Sequence, residues 1–482
     1  MYRLVLFLLL LSPGVHGDSS LGLPEIGDST GDIISPEYER RLGQAFLSQV
    51  RKQADIVTDP EVETYIMSIG YRLVAQSDSN TRPFTFFFIN DPAINAFAAP
   101  GGIVGMNSGV IISSDNESEL AGVVAHEIAH VTQKHMARAV EMQRKLSIPT
   151  LAATLGAILV AAMDPAAGQA ALAAVQGGIA QARINFTRSN EEEADRVGVQ
   201  LLARAEFNPK GMPAFFEKLQ KNSRYSAKAP EFLRTHPLTN NRIADSLARA
   251  AAYPTDFKYQ ESRTYHYVKA KLIVKSYKNP DDAVTFYRDQ IKNNYDQDRD
   301  VSTYGYAIAL AASNQYKAAR KQLRSLLQKE PENIVYLLAA ADVEGKAGAY
   351  QDAVDIYEQA KKIYPGYRPL VLNYANLLLI AERPEQARDL LIEFGKSHTP
   401  DITYYNMLTR AEAEAGDQVE SNIANAEYHF LTGETLVAIQ QLKFALGQED
   451  PGPDYYQQER MQARLEHLEQ ELAIERALNL AR

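Results

Sequence analysis

The strongest constraint on the fold of this 482-residue chain is a 34-residue repeat in its C-terminal half. Three kinds of position recur at that interval: a small alanine, a large apolar residue and a proline. They are Ala319, Ala353 and Ala387; Leu323, Tyr357 and Leu391; and Pro331 and Pro365. A small residue lets two helices approach closely, the large residue fills the space beside it, and proline ends a helix. The pattern therefore predicts stacked pairs of helices.

A period of 34 residues is that of the tetratricopeptide repeat. We predict an all-α tetratricopeptide solenoid over residues 263–482, with a generic helical bundle as the alternative. The match weakens at both ends, because Ala283 lies 36 residues before Ala319 and Ala438 lies 51 after Ala387. An amphipathic pattern from Tyr455 onward predicts a capping helix over the last apolar face.

The N-terminus has the pattern of a secretory signal peptide. Arg3 precedes an apolar run of eight residues, Leu4 to Leu11, and the small Gly17 follows Pro13. We predict a signal peptide over 1–17, cleaved after Gly17, because the run is far shorter than the roughly 20 residues of a spanning helix; an uncleaved anchor is the alternative. Export without any cysteine fits a periplasmic protein.

Residues 18–262 lack the repeat and change period along their length. Helical spacing over 35–74 gives way to an aromatic strand-like run over 84–90 and a Gly-interrupted stretch over 102–112, before helical spacing resumes at 115. We predict a mainly helical α+β domain over 18–262. The stretch 102–112 is predicted to be a strand or hairpin, and we hypothesise that it pairs with an extended substrate.

The sequence His126-Glu127-Ile128-Ala129-His130 is the candidate active site. Residues four apart share one face of a helix, so both imidazoles can reach one metal ion. Glu127 would lie beside that metal, where it can deprotonate a water molecule. Because the chain has no cysteine, any further ligand must be a histidine or a carboxylate.

A second helix is predicted to supply that ligand. It begins near Ser189 and places Glu191 and Asp195 one turn apart on one face. Glu191 would bind zinc, and Asp195 would hydrogen-bond the far nitrogen of a ligating histidine. The alternative is that these acids only complement the helix macrodipole. His135, five residues after His130, is predicted to point away from the site as a solvated helix-end residue.

Five motifs carry a resemblance to a known family. In chain order they are Asn95-Ala96-Phe97, Pro100-Gly101-Gly102, His126-Glu127-Ile128-Ala129-His130, Glu191-x-x-Ala194-Asp195 and Thr235-His236-Pro237. The set resembles that of zinc metallopeptidases of the CAAX-prenyl-protease and heat-shock membrane-protease type. The resemblance implies a zincin-type fold and one zinc ion per chain, held by His126, His130 and Glu191. It also implies that Glu127 is the general base and Asp195 an acid next to the ligand shell.

His236 matches a family histidine on a loop that faces the metal. An imidazole there could stabilise the oxyanion, or it could take the fourth metal position and exclude water in a closed state. The alternative is an exposed histidine in a turn. Arg242 is a weaker candidate for oxyanion stabilisation, and a solvated position on a helix face is the simpler expectation.

The resemblance, joined to export and repeats, implies a periplasmic zinc endopeptidase that degrades misfolded or stalled outer-membrane β-barrel proteins and assists their assembly. Its repeats would contact these proteins and the barrel-assembly machinery; the rival interpretation is a non-proteolytic scaffold with a dormant metal site. The Ala-rich segment 150–182 suggests a peripheral membrane contact. A net charge of −10 without a basic cluster argues against nucleic acid as a partner.

Overall fold

A computed structural model describes residues 35–78, 83–136, 188–225, 230–254, 261–293, 298–449 and 452–477. The predicted signal peptide and the segment 150–182 lie outside these residues. The predicted fold class is confirmed: a mainly helical unit with a small sheet is followed by stacked helix pairs. Among the described residues, no helix is both long and apolar enough to cross a bilayer.

The N-terminal unit consists of eight described helices around three short strands. In chain order these are α1 (Pro36–Gln53), α2 (Pro60–Val74), β1 (Thr85–Ile89), β2 (Ala96–Ala99), β3 (Ile103–Asn107), α3 (Ser108–Ser113), α4 (Glu117–Thr132), α5 (Arg188–Arg204), α6 (Gly211–Tyr225), α7 (Phe232–Thr235) and α8 (Asn240–Ala251). Local signals set the helix starts. Asp59, for example, accepts hydrogen bonds from the backbone of Glu61 and Val62, and Pro60 occupies the first turn of α2.

The three strands form one sheet in the order β1-β3-β2. Strand β3 runs parallel to β1 and antiparallel to β2, with Phe87 and Phe97 both opposite Gly105. Both edges of β3 are therefore occupied, so the hypothesis that the stretch 102–112 pairs with a substrate strand is wrong for its strand portion. Within the described part of the chain, β2 has one strand neighbour and forms an edge of the sheet.

Helix α4 is the centre of this unit and is buried along nearly its whole length. It packs against α2, the sheet, α5 and α6 in one continuous apolar core. The contact with α5 is close at Gly198, where an added Cβ would lie 3.3 Å from the backbone nitrogen of His126. This close approach of two backbones brings the side chains of α4 and α5 together.

The C-terminal unit is a series of helices, and its contacts are mostly between consecutive members. They are α9 (Arg263–Ser276), α10 (Pro280–Asn293), α11 (Arg299–Ala312), α12 (Tyr316–Lys329), α13 (Ile334–Lys346), α14 (Tyr350–Ile363), α15 (Arg368–Ile380), α16 (Pro384–Gly395), α17 (Ile402–Glu414), α18 (Gln418–Leu431), α19 (Thr435–Leu446) and α20 (Tyr455–Ala477). The repeat alanines Ala319, Ala353 and Ala387 are fully buried, as close helix packing requires. Helix α20 covers α19 with Met461, Leu468 and Leu472.

The two units share an extensive interface. Helix α9 faces both: Tyr265 and Leu272 belong to the core of the N-terminal unit, whereas Tyr267 belongs to the first repeat core. Ion pairs join the units further along, including Arg368 with Glu63 at 2.9 Å. At the other end of the solenoid, Arg41 of α1 pairs with Glu471 of α20 at 2.9 Å. The repeats thus contact the N-terminal unit at both α1 and α2.

Candidate metal centre

Four side chains from three parts of the N-terminal unit converge on one buried point. His126 and His130 lie on α4, Glu191 lies in the first turn of α5, and His236 follows α7. One ligand atom from each of the four lies within 4.8 Å of the others. The two α4 histidines approach through their Nε2 atoms at 3.1 Å, and Glu191 lies 3.5 Å from His126 and 3.4 Å from His130.

This donor set fits a metal ion. Two imidazoles and one carboxylate are a known ligand set for a four-coordinate catalytic metal that keeps one position open. All the donors are buried, so without a bound cation the site would crowd polar groups together away from water. The predicted ligands His126, His130 and Glu191 are therefore brought together as a metal site requires.

The electrostatics of the site hold Glu191 as an anion. Burial alone would raise the pKa of Glu191, but His236 and His126 beside it hold that pKa well below its usual range. For His126, burial would lower the pKa, but the carboxylates of Asp195 and Glu191 beside the ring outweigh burial and raise the pKa to about 9. Burial, together with the charge of His126, lowers the pKa of His130. Neutral His130 and anionic Glu191 are the forms that bind cations.

Asp195 of α5 lies behind His126. Its Oδ1 is 3.0 Å from Nδ1 of His126, on the side of the ring away from the ligand cluster. Arg242 also binds this carboxylate: its Nε donates to Oδ2 at 2.7 Å and its Nη2 to Oδ1 at 2.8 Å. Burial would raise the pKa of Asp195, but the hydrogen bonds from Arg242 lower it.

The expectation that Arg242 is a solvated residue is wrong, since it is 2% exposed. Besides Asp195, it reaches Glu191 at 2.9 Å and donates to the carbonyl of Pro237 at 2.7 Å. Arg242 thereby connects the loop after His236 to Glu191 and Asp195 of α5. The sequence offered only a weak signal for this, namely an arginine six residues after His236 on a helix with an apolar face.

His236 lies inside the site and is 1% exposed, so the alternative of an exposed turn residue is wrong. Its Nδ1 lies 3.1 Å from Oε1 of Glu191 and 3.3 Å from Nε2 of His126. Its Nε2 is 3.5 Å from Glu127. The ring stacks on Phe232 at a centroid distance of 4.7 Å, which holds it against the other three ligand candidates.

Glu127 is fully buried beside the cluster. Burial raises its pKa, and the nearby His236 and His126 oppose that shift. The backbone of Ala98 in edge strand β2 also acts to lower this pKa. Glu127 therefore lies close to the candidate ligands and to edge strand β2.

His135 does not point away from the site as predicted. It is fully buried, with Nδ1 2.9 Å from Nδ1 of His130 and Nε2 3.1 Å from Oε2 of Glu193. The prediction assumed a regular helix through residue 135, but α4 ends at Thr132 and Lys134 has a φ of 55°. That left-handed residue reverses the chain and returns His135 to His130. No feature of the sequence alone marked this turn.

The fold and the site together define an HExxH metallopeptidase followed by tetratricopeptide repeats. Comparison with protein families agrees on both units. The family model of Peptidase family M48 matches residues 60–250, and a tetratricopeptide repeat model matches residues 346–412.

Several curated proteins are similar to the chain over nearly its full length. The β-barrel assembly-enhancing protease of Escherichia coli (strain K12) is 38% identical over 94% of this chain and 92% of its own length. The protein of the same name from Yersinia pestis is 35% identical over 96% of both chains. A mitochondrial metalloendopeptidase of Schizosaccharomyces pombe is 28% identical over 44% of this chain and 60% of its own. This chain belongs to the β-barrel assembly-enhancing protease family of M48 metallopeptidases.

Proposed function

We propose that this protein is a periplasmic zinc endopeptidase that assists the assembly of outer-membrane β-barrel proteins and degrades misfolded or stalled ones. The observation that carries the proposal is the buried cluster of His126, His130 and Glu191 with Glu127 beside it. The biological context comes from the relatives named for β-barrel assembly, which match this chain along both units. The location in the periplasm rests on the same relatives and on the predicted signal peptide over 1–17.

In this proposal His126, His130 and Glu191 hold one zinc ion per chain. Zinc in such a site polarises the scissile carbonyl and lowers the pKa of water. Glu127 takes a proton from the attacking water and passes it to the leaving amine. Asp195 fixes the hydrogen on Nδ1 of His126 so that Nε2 is free to bind the metal, and Arg242 holds Asp195 in place.

His236 is proposed to control access to the metal. Its Nδ1 lies among the predicted ligand atoms, which supports a closed state in which this imidazole takes the fourth metal position. Withdrawal of the loop after α7 would open that position to water and substrate. In the open state the same side chain is available to stabilise the oxyanion.

Substrate is proposed to bind as an extended strand along β2. Among the described strands, β2 is an edge of the sheet, and a peptide would add to that edge once the buried site opens. The backbone of its Ala98 lies near enough to Glu127 to lower the pKa of that carboxyl group, so a peptide added at this edge would pass the general base. This mode requires an unfolded or edge-exposed substrate, which a stalled barrel strand provides.

The proposed division of labour places the peptidase in residues 18–262 and the delivery of barrel proteins, or contact with their assembly machinery, in residues 263–482. Stacked repeats form extended surfaces suited to such partners. A peripheral membrane contact through 150–182 is part of the same proposal. The net charge of −10 argues against nucleic acid as a partner.

One observation favours the second candidate, a scaffold whose metal site is dormant. Every residue of the candidate site is essentially inaccessible to solvent, so no peptide can reach Glu127 in this conformation. A protein that remained in this state would act through its repeats alone.

The variant Glu127→Gln separates the two candidates. If the protein is a peptidase, we expect this variant to retain one zinc ion per chain and to lose cleavage of an unfolded β-barrel substrate. The substitution removes only the carboxylate of Glu127 that accepts the proton. Zinc content is measured by elemental analysis and cleavage by gel electrophoresis. A wild-type protein without stoichiometric zinc, or a variant that still cleaves, would overturn the mechanism.

A further inference from the structure

We propose that His135 and Glu193 form a hydrogen-bond relay that fixes the orientation and tautomer of the metal ligand His130. The inference rests on the proposed metal site and extends it to two residues outside the ligand set. In this role both are positioning residues: they act on the metal through His130.

The geometry of His130 assigns its two nitrogens to different tasks. Nε2 faces the ligand cluster, 3.1 Å from Nε2 of His126 and 3.4 Å from Glu191. Nδ1 faces the opposite way and lies 2.9 Å from Nδ1 of His135. On its far side, the ring of His135 places Nε2 3.1 Å from Oε2 of Glu193. The three side chains form a continuous line that leads away from the metal site.

Metal binding allows one placement of hydrogens along this line. Nε2 of His130 must offer a lone pair to the metal, so the ring hydrogen is on Nδ1 and is donated to His135. Nδ1 of His135 accepts it only if that ring carries its own hydrogen on Nε2. That hydrogen is donated in turn to the carboxylate of Glu193. Each donor then has one acceptor.

The two ligand histidines of α4 are thus supported differently. His126 reaches a carboxylate directly, through Asp195. For His130, an imidazole is inserted between the ligand and the carboxylate. Such outer partners orient the ligating ring and increase its basicity, and their loss typically costs 10–100-fold in metal affinity.

The backbone supports a dedicated role for His135. Lys134 adopts a φ of 55°, a conformation that costs a non-glycine residue about 1–2 kcal/mol. The same turn returns the chain to α4 and buries His135 completely. Glu193 is in the same helix as Glu191, so one element supplies both a ligand and the end of the relay.

The test measures zinc affinity of the full-length protein by competition with a chromophoric chelator. His135→Phe keeps a ring but removes the acceptor, and we expect zinc to bind 10–100-fold more weakly. His135→Asn places an amide oxygen close to the position of Nδ1, and we expect it to recover most of the affinity. The control is Glu192→Gln, which removes an exposed carboxylate that pairs with exposed Arg188 one turn earlier, and we expect it to leave the affinity unchanged.

A double-variant cycle tests whether Glu193 acts through His135. We expect Glu193→Gln to weaken zinc binding severalfold in the wild-type background and not at all in the His135→Phe background. Equal losses in both backgrounds would overturn the relay. If His135→Phe fails to fold, the comparison of Glu193→Gln with Glu192→Gln decides, and equal affinities for these two variants would overturn it.

Melting temperatures of the zinc-free proteins separate positioning from packing. If the relay acts only by positioning His130, the zinc-free forms of His135→Asn and Glu193→Gln should have the melting temperature of the zinc-free wild type. If the wild type binds zinc and His135→Phe binds it with the same affinity, the relay is refuted and the proposed function is unaffected. A wild type that binds no zinc refutes the proposed function itself.

Discussion

At the scale of single residues, the metal site depends on buried charges that are balanced by specific partners. Arg242 pairs with Asp195 through two hydrogen bonds and also lies 2.9 Å from Glu191. Its guanidinium is the cation that joins the loop after His236 to these two carboxylates. Burial would lower the pKa of Arg242, but these carboxylates raise it, so the group remains charged throughout the physiological range.

We expect Arg242→Met to lower the free energy of unfolding by about 3–5 kcal/mol, because it leaves a buried carboxylate without its partner. Urea unfolding of the zinc-free protein measures the change. Arg249→Met on the same helix is the control: its partner Asp245 is exposed, and surface pairs contribute about 0–1 kcal/mol. Equal effects of the two substitutions would show that Arg242 does not stabilise the site through burial.

A second buried carboxylate, Glu412 of α17, makes stability depend on pH. Burial, aided by the charge of Asp417, raises the pKa of Glu412 from its ordinary value of 4.5 to about 7. Between these pH values the folded protein holds a proton that the unfolded chain has released. The contribution of Glu412 to stability is therefore complete below about pH 4.5 and falls as the pH rises to about 7.

We expect Glu412→Gln to stabilise the protein at pH 8 by about 1–2 kcal/mol and to have little effect at pH 4, where the carboxyl is already neutral. Urea unfolding at the two pH values checks this. Glu414→Gln is the matched control on the same helix, since Glu414 is exposed and pairs with Arg410. A gain at pH 4 as large as that at pH 8 would contradict the assignment.

At the scale of secondary-structure elements, the end of α4 matters as much as its regular part. The helix places His126 and His130 on one face, but the left-handed residue Lys134 decides where the chain goes next. Glycine adopts this conformation without the steric penalty that other residues incur.

We therefore expect Lys134→Gly to preserve zinc affinity and to stabilise the protein by about 0.5–1 kcal/mol. Gln133→Gly is the control, because Gln133 has an ordinary φ of −82°, where glycine costs about 0.5–1 kcal/mol. Thermal unfolding of both variants gives the sign of each effect. Destabilisation by Lys134→Gly would show that its side-chain contacts outweigh the backbone strain.

At the scale of the whole molecule, the repeats and the peptidase unit form one packed body. Arg368 of α15 joins them, because it pairs with Glu63 of α2 at 2.9 Å and with Asp401 of the repeats at 2.6 Å. Burial raises the pKa of Glu63, and Arg368 opposes this shift. The cation therefore stabilises the charged form of a partly buried carboxylate at the interface. The position of the solenoid relative to the active site depends on such contacts.

We expect Arg368→Glu to weaken this interface, because the new carboxylate would lie beside those of Glu63 and Asp401. The radius of gyration measured by small-angle X-ray scattering should then increase. Adding Glu63→Arg restores opposite charges across the contact and should recover most of the compactness. Arg410→Glu, an exposed change within the repeats, is the control and should leave the radius unchanged. A radius unaffected by Arg368→Glu would show that apolar packing alone holds the units together.

Much of this protein follows from its sequence, where the relevant geometry is local. The 34-residue repeat predicts the solenoid, and the spacing of His126 and His130 predicts a shared helix face, because helix geometry relates residues one turn apart. The same reasoning extends to Glu191 and Asp195 on their own helix.

Only the tertiary structure decided which of the remaining polar residues join the site. Arg242 and His135 have the sequence signature of solvated helix residues, yet both are buried, because packing of α5, α8 and the turn at Lys134 brings them to their partners. Strand β3 likewise has the pattern of a pairing strand, but the sheet order places it between β1 and β2, so both of its edges are occupied. Charge and periodicity determine how a residue is placed relative to its neighbours within one element. Contacts between distant parts of the chain, such as that between Asp195 and Arg242, 47 positions apart, depend on how whole elements pack.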